Sequence, residues 1–277
     1  MTTISIGFIQ FAPKLNNLAA TIQTLDQLFQ GYVDPTIDLL VLPELCNSGY
    51  NFPSPDVAWV SSETVMQSLF IDYLVAQGAN YNLHIVSGFN ERAGDKLYNS
   101  AVLVGPTGYI GRYRKLHLFL NEKDFFEPGN LGLPIFDIGY ARIGMLVCFD
   151  WVFPEAWRVL SLKGAEIICH PSNLVLPGLC QNTIPSYALM NHVFVITANR
   201  IGSEENLTFT GLSTIAAPSG QVLYQATQTE PEAGLVDVDL SESRNKAITP
   251  RNDLFADRRT DVYGNLGTGN VNVERGT

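Results

Sequence analysis

The chain has 277 residues, 46% of them hydrophobic, and a formal net charge of −10. That size and composition suit one large α/β domain or two small ones, with enough apolar material for a sizeable core. The acidic balance disfavours nucleic acid as a partner, because phosphate binding needs a concentrated basic surface and Arg112, Arg114 and Lys115 form too short a run to supply one.

In chain order, Ile4 to Phe11 reads as an apolar strand, followed by Asn16 as a helix cap and by Ile22, Leu25, Leu28 and Phe29 at helical spacing. Ile37 to Leu45 reads as a second buried strand that ends in a carboxylate, Glu44. Val65 to Tyr81 is helical and leads into the strand Leu83 to Ser87. From Tyr98 to Leu118 two extended segments meet at Gly105-Pro-Thr-Gly108, a hairpin turn that brings antiparallel pairing into the sheet. Ala141 to Phe149 is another buried strand, Pro154 opens a helix reaching about Lys163, and Glu166 to His170 begins the next strand. A helix near Ile184 to Asn191, a strand over Val193 to Ala198, and paired strands over Leu212 to Tyr224 and Leu235 to Leu240 complete the alternation. The pattern predicts a layered α/β sandwich of mixed sheets.

No repeat, low-complexity segment or linker divides the chain, so a single domain over residues 1–264 is expected. The Gly- and Asn-rich residues Asn265 to Thr277 read as a flexible tail. No apolar run is long enough to cross a bilayer, and Met1-Thr-Thr-Ile-Ser lacks the basic and apolar parts of a signal, which predicts a cytoplasmic protein without membrane partners. Cys46, Cys148, Cys169 and Cys180 form neither a disulfide framework nor a CxxC site and read as free thiols in a reducing compartment. His84, His117, His170 and His192 lack HExxH or HxH spacing, so no metal site is expected.

Cys148 stands where an apolar strand gives way to a turn and then a helix. A thiol at such an elbow can lie near backbone N–H groups and a helix start, which favour a thiolate and a developing oxyanion. The competing reading is a small buried hydrophobe, and that reading is preferred for Cys46, Cys169 and Cys180. Glu44, at the end of an apolar strand, is placed to bind a proton more tightly than usual and to act as a general base; otherwise it is a capping or pairing residue at a strand end. Lys115 closes the segment Tyr109 to Lys115, and Glu122 lies seven positions on; each taken alone reads equally as a solvated charge.

Together, the strings Pro43-Glu-Leu-Cys-Asn-Ser-Gly-Tyr50, Arg112-Tyr-Arg-Lys-Leu-His117, Glu122-Lys-Asp-Phe-Phe-Glu-Pro-Gly129 and Cys148-Phe-Asp-Trp-Val-Phe-Pro-Glu155 resemble the nitrilase superfamily of carbon–nitrogen hydrolases. Further matches are His170-Pro-Ser-Asn173, Thr197-Ala-Asn-Arg200 and Pro250 to Arg259, so that the resemblance runs from Ile4 to Tyr263. The branch it looks most like is that of the small archaeal nitrilases and aliphatic amidases. The resemblance implies an αββα sandwich of two mixed sheets between helices, paired across a two-fold interface into a homodimer or larger even assembly. It implies Glu44, Lys115, Glu122 and Cys148 as the catalytic group. Glu44 takes the thiol proton, Lys115 and the Phe149 N–H stabilise the developing charge, Glu122 orients the substrate and Lys115, and one of the carboxylates activates water. No cofactor is required. It also places Tyr50, Phe119, Phe149, Trp151 and Asn173 around the substrate, although each reads equally as core or loop packing.

Trp151 and Val152 stand where carbamoyl-amino-acid hydrolases of the superfamily carry an arginine pair, which argues against that substrate class. A small amide, hydrolysed to acid and ammonia through a thioester, is placed ahead of a small nitrile. Three other readings stay open: a Cys–His pair using His117 or His170, a nucleotide-binding α/β protein, and a silent binding scaffold of the same fold. The nucleotide reading lacks phosphate-cradling glycines, since Gly105-Pro-Thr-Gly108 is neither GxGxxG nor a Walker loop.

Overall fold

The computed structural model describes residues 3–33 and 36–263. Chain contacts group the protein into two units, Met1–Asn245 and Lys246–Thr277. The expected tail, Asn265 to Thr277, lies outside the described residues.

The first unit opens with β1 (Thr3–Gln10), α1 (Leu18–Tyr32), β2 (Leu39–Val41), α2 (Pro55–Val60), α3 (Leu69–Tyr81), β3 (His84–Ala93), β4 (Lys96–Gly105) and β5 (Gly108–Arg114). It continues with α4 (Glu122–Phe125), β6 (Ile135–Asp137), β7 (Arg142–Met145), a 3₁₀ turn (Cys148–Val152), α5 (Pro154–Leu162), β8 (Ile167–Ser172) and α6 (Leu179–Asn191). Then follow β9 (Phe194–Asn199), the two-residue strands β10 (Ser203–Glu204) and β11 (Leu207–Thr208), β12 (Thr214–Ala216), β13 (Val222–Gln225), β14 (Glu232–Asp239) and α7 (Ser241–Arg244). The second unit holds the small antiparallel pair β15 (Ala247–Thr249) and β16 (Asn252–Asp253).

Two six-stranded mixed sheets result, in the orders β14-β1-β2-β3-β4-β5 and β13-β12-β9-β8-β7-β6. In each, the strands joined by helices run parallel and the hairpin-joined strands run antiparallel, as connection length dictates. Side-chain alternation assembles the layers. Ile4, Ile6, Phe8, Leu39, Val41, Val86, Ala101 and Leu103 enter one core with Ile143, Met145, Ile167 and Val195 of the second sheet. The interleaved Ile9, Leu40, Ile85, Val102 and Val104 point the other way, onto Leu25, Leu28 and Phe29 of α1 and Phe70, Ile71 and Leu74 of α3. On the far side, Ala156, Trp157 and Leu160 of α5 and Ile184 and Ala188 of α6 close the second sheet. The order helix, sheet, sheet, helix is the expected αββα sandwich.

Several predicted boundaries shift. Asn17, not Asn16, caps α1, its side-chain oxygen accepting from Ala20 N at 3.1 Å. The helix predicted from Val65 begins at Leu69, because Ser68 caps it by accepting from Ile71 N at 3.0 Å. The strand predicted over Ile37 to Leu45 pairs regularly only across Leu39–Val41; beyond it, Pro43 and a left-handed Leu45 (φ 48°) turn the chain across β3. The strand predicted through Phe149 likewise ends at Met145, three positions before the 3₁₀ turn begins at Cys148.

Candidate active site

Glu44 sits just past β2, where the chain crosses β3. Gly88 N donates to Pro43 O at 3.0 Å and Cys46 N donates to Gly88 O at 3.1 Å, so the turn lies directly on that strand. A Cβ at Gly88 would come within 2.3 Å of Glu44 Cα, so only glycine admits this approach. The carboxylate is fully buried. Its Oε1 accepts from Asn99 Nδ2 at 2.7 Å and from Lys115 Nζ at 2.8 Å, while Oε2 is buried without a hydrogen-bond partner.

Lys115 follows β5, its N–H donating to Asn99 O at 2.8 Å and its carbonyl accepting from Gly129 N at 2.8 Å. Its Nζ also donates to Glu122 Oε1 at 2.7 Å. Burial alone pulls an ammonium toward its neutral form, but here Glu122 and Glu44 together outweigh burial and hold Lys115 above its ordinary range. The lysine is therefore a fixed cation.

Glu122 opens α4. Its Oε1 accepts from Lys115 and, at 2.8 Å, from the Tyr50 hydroxyl, and its Oε2 accepts from Phe119 N at 3.2 Å. Burial pushes this carboxyl up to about 7 against the pull of Lys115, with Glu44 adding to the rise. Tyr50 is held well above its usual range by burial and by the facing carboxylates, so its hydroxyl remains a donor.

Cys148 occupies a left-handed conformation (φ 42°), an uncommon one for a residue with a side chain, and the surrounding contacts hold it there. Asp150 ties the turn: it accepts from Val147 N at 2.9 Å, the Tyr113 hydroxyl at 2.8 Å, His117 N at 3.2 Å and His117 Nδ1 at 2.7 Å. Burial and the charge of Glu44 raise the thiol well above its ordinary value, partly opposed by Lys115 and by the backbone N–H of Asn173, which donates to it. The thiol thus rests protonated, in the field of Glu44, whose Oε2 has no hydrogen-bond partner.

The two histidines weighed as partners for the thiol bond to other groups. His117 pairs with Asp150 and stacks on Phe153 at 3.6 Å between ring centroids. His170 Nε2 lies 2.8 Å from the Cys148 carbonyl oxygen, to which it donates, and its Nδ1 lies 3.1 Å from Thr197 Oγ1. Burial lowers His170 to about 4, which leaves it a neutral ring that fixes the backbone of Cys148.

Beside Cys148 lies a tight cleft, with enclosed room for about one water molecule, bordered by Phe119, Phe149, Trp151, Asn173 and the apolar run Leu174 to Leu176. Phe119 and Phe149 contact one another across it, with ring centroids 4.9 Å apart. Asn173 also donates through Nδ2 to the Glu44 carbonyl at 3.0 Å, bracing the two sides of the site. No side chain on this border carries a charge. Of the residues expected around the substrate, Tyr50 stands apart from the cleft and joins the group through Glu122. Sequence reasoning did not single out Asn99, Asp150 or Tyr113, whose only signal is a polar group within an apolar stretch.

The sequence model of the carbon-nitrogen hydrolase family matches residues 5–247. A nitrilase from Pyrococcus abyssi is 42% identical over 260 residues, covering 94% of this chain and 99% of that protein. An (R)-stereoselective amidase from a Pseudomonas species is 32% identical over 230 residues, covering 82% and 81%. The crystal structure of a carbon-nitrogen hydrolase from Helicobacter pylori G27 superposes with a TM-score of 0.82 at 25% identity, covering 95% of this chain and 97% of that one. The chain therefore belongs to the carbon–nitrogen hydrolase family of the nitrilase superfamily and is a hydrolase of carbon–nitrogen bonds.

Proposed function

We propose that this enzyme hydrolyses a small, uncharged amide to a carboxylic acid and ammonia through a thioester on Cys148. The observation that carries the reading is the buried Lys115 ammonium, shared between Glu44 and Glu122, with the second oxygen of Glu44 left free beside a protonated thiol.

In this scheme the Cys148 proton passes to Glu44 as sulfur attacks the carbonyl carbon. The transfer leaves the net charge of the group unchanged, so no extra charge is created in a buried space. The carbonyl π pair moves to oxygen, and Lys115 with the Phe149 N–H stabilises that oxyanion. Collapse breaks the carbon–nitrogen bond, Glu44 returns its proton to nitrogen, and ammonia leaves. Water then gives a proton to Glu44 and adds to the thioester, and the second collapse breaks the carbon–sulfur bond and restores the thiol. Both oxygens of Glu122 already accept hydrogen bonds, which supports an orienting part for Glu122 and the base's part for Glu44 in both halves.

The uncharged border of the cleft supports a substrate with an apolar acyl group and disfavours a carboxylate-bearing one such as an N-carbamoyl amino acid. A second reading, direct conversion of a small nitrile, is favoured by the likeness to the Pyrococcus abyssi nitrilase. Here the thiol adds across the triple bond, and the adduct takes up water before expelling ammonia. Free thiols suit the reducing, cytoplasmic setting expected from cysteine usage. Val159 and Leu162 on α5 and Leu189 and Met190 on α6 are exposed, which supports pairing into a homodimer. Light scattering checks this, and a monomer at all concentrations refutes it.

The decisive assay is ammonia release from matched short amides and nitriles. Cys148→Ala is expected to abolish release with its circular dichroism unchanged. Turnover by that variant at the wild-type rate refutes the scheme, and the ratio of rates within each amide–nitrile pair separates the two readings.

A further inference from the structure

Tyr50 delivers its hydroxyl to Glu122 from a segment whose backbone is gripped by a residue 154 positions away. Glu204 Oε2 accepts from Asn51 N at 2.7 Å and from Tyr50 N at 3.1 Å. Its carbonyl accepts from Asn51 Nδ2 at 3.1 Å. The fit is close, since a Cβ at Gly49 (φ 80°) would lie 2.9 Å from Glu204 Oε1 and 2.6 Å from Leu15 Cα. Glu204 is itself held. Arg200 Nη1 donates to its Oε1 at 2.7 Å, Arg200 Nη2 donates to Pro13 O at 3.2 Å, and the guanidinium lies 4.1 Å from the centre of the Phe209 ring. Phe209 in turn meets the Tyr50 ring edge-on, with centroids 5.9 Å apart. Arg200 is 1% and Glu204 8% exposed.

A buried ion pair is a poor device for stability, because desolvating both charges offsets most of their attraction and an apolar pair of similar volume often serves as well. What it supplies is direction. Two charge-assisted bonds to successive N–H groups fix both the position and the rotation of a short loop. The loop's side chain then supplies one of the donors on Glu122 Oε1.

We propose that Glu204, locked by Arg200, is a positioning residue for the reaction: it sets the Tyr50 hydroxyl on Glu122 and thereby the orientation and ionisation of the carboxylate that holds Lys115. The proposal rests on the reading of Glu122 as part of the catalytic group. The groups facing Glu122 are Lys115, Glu44 and Tyr50, with the Cys148 thiol on the same cluster. Of these, Lys115 and Tyr50 favour its ionised form, so a misplaced Tyr50 moves its protonation to higher pH.

The test is a double-mutant cycle on the full chain with Tyr50→Phe, Glu204→Gln and the pair together, reading kcat, KM and the pH profile on the best substrate of the ammonia assay. Each single variant is expected to lower kcat about tenfold with KM within about twofold and to move the acid limb upward. The double variant is expected to be no worse than the worse single. Multiplying losses, or an acid limb that stays in place in Glu204→Gln, overturns the proposal. Should Glu204→Gln fail to fold because Arg200 is left unpaired, Arg200→Met with Glu204→Gln removes both charges and takes the place of Glu204→Gln in the cycle. A wild-type chain that releases no ammonia from any substrate, under conditions where it is folded, removes the underlying reading as well. An active wild type with an additive cycle removes only the positioning role.

Discussion

Lys115 keeps its charge although it is buried because two carboxylates face it, and the same arrangement makes one of those carboxylates sensitive to pH. Glu122, pushed up to about 7 by burial, is ionised above that pH and protonated below it. The direction follows: activity is expected to rise with pH through about 7 and then level, because protonation removes the partner that orients Lys115. Glu122→Gln is expected to erase this acid limb and lower kcat about a hundredfold, within the range general acid–base and orienting groups contribute. A pH–rate profile that keeps its limb near 7 in that variant assigns the limb elsewhere. In the sequence these residues were visible as local strings, each ambiguous by itself and informative together. The pairings that hold them were not. Tyr50 meets Glu122 across 72 positions and Asn99 meets Glu44 across 55, separations over which no local pattern survives.

At the scale of elements, alternation in the buried strands was legible because it is the pleat itself: Leu39 and Val41 face one core and Leu40 and Leu42 the other. The ends were less so. Glu44 and Cys148 both read as strand residues, yet both sit in turns where a residue is left-handed, Leu45 in one and Cys148 in the other. Apolar composition hides such turns, since at Leu45 and Cys148 the surrounding contacts impose a positive φ on residues that carry side chains. The crossing over Gly88 gives a direct check. Gly88→Ala must push the Glu44 turn away from β3, and a displacement near 1 Å at a reacting group is expected to cost about a hundredfold in kcat. Gly31→Ala, in α1 with open space around its added methyl, is the matched control and should leave kcat unchanged while raising stability by up to about 1 kcal/mol. Equal activity in the two variants contradicts the crossing as the determinant of Glu44's place.

Across the whole of residues 3–245, the layered class could be read from the alternation of strands and helices, whereas the strand order could not, because it depends on pairings between distant segments such as β1 with β14. The family match spans 5–247 and the small pair β15 and β16 extends past it. One feature of this layout reaches beyond the chemistry. The sulfur hangs from the end of one sheet, after β7, whereas the acids and the amine come from the end of the other, after β2 and β5. On the proposed scheme the group works as a vernier on the sandwich: a slide of one sheet past the other too slight to alter the backbone's optical signal would take Cys148 and Glu44 out of step. In a urea titration, catalysis should fade before ellipticity does, and a coincident loss of the two would mean that the sheets yield only when everything yields.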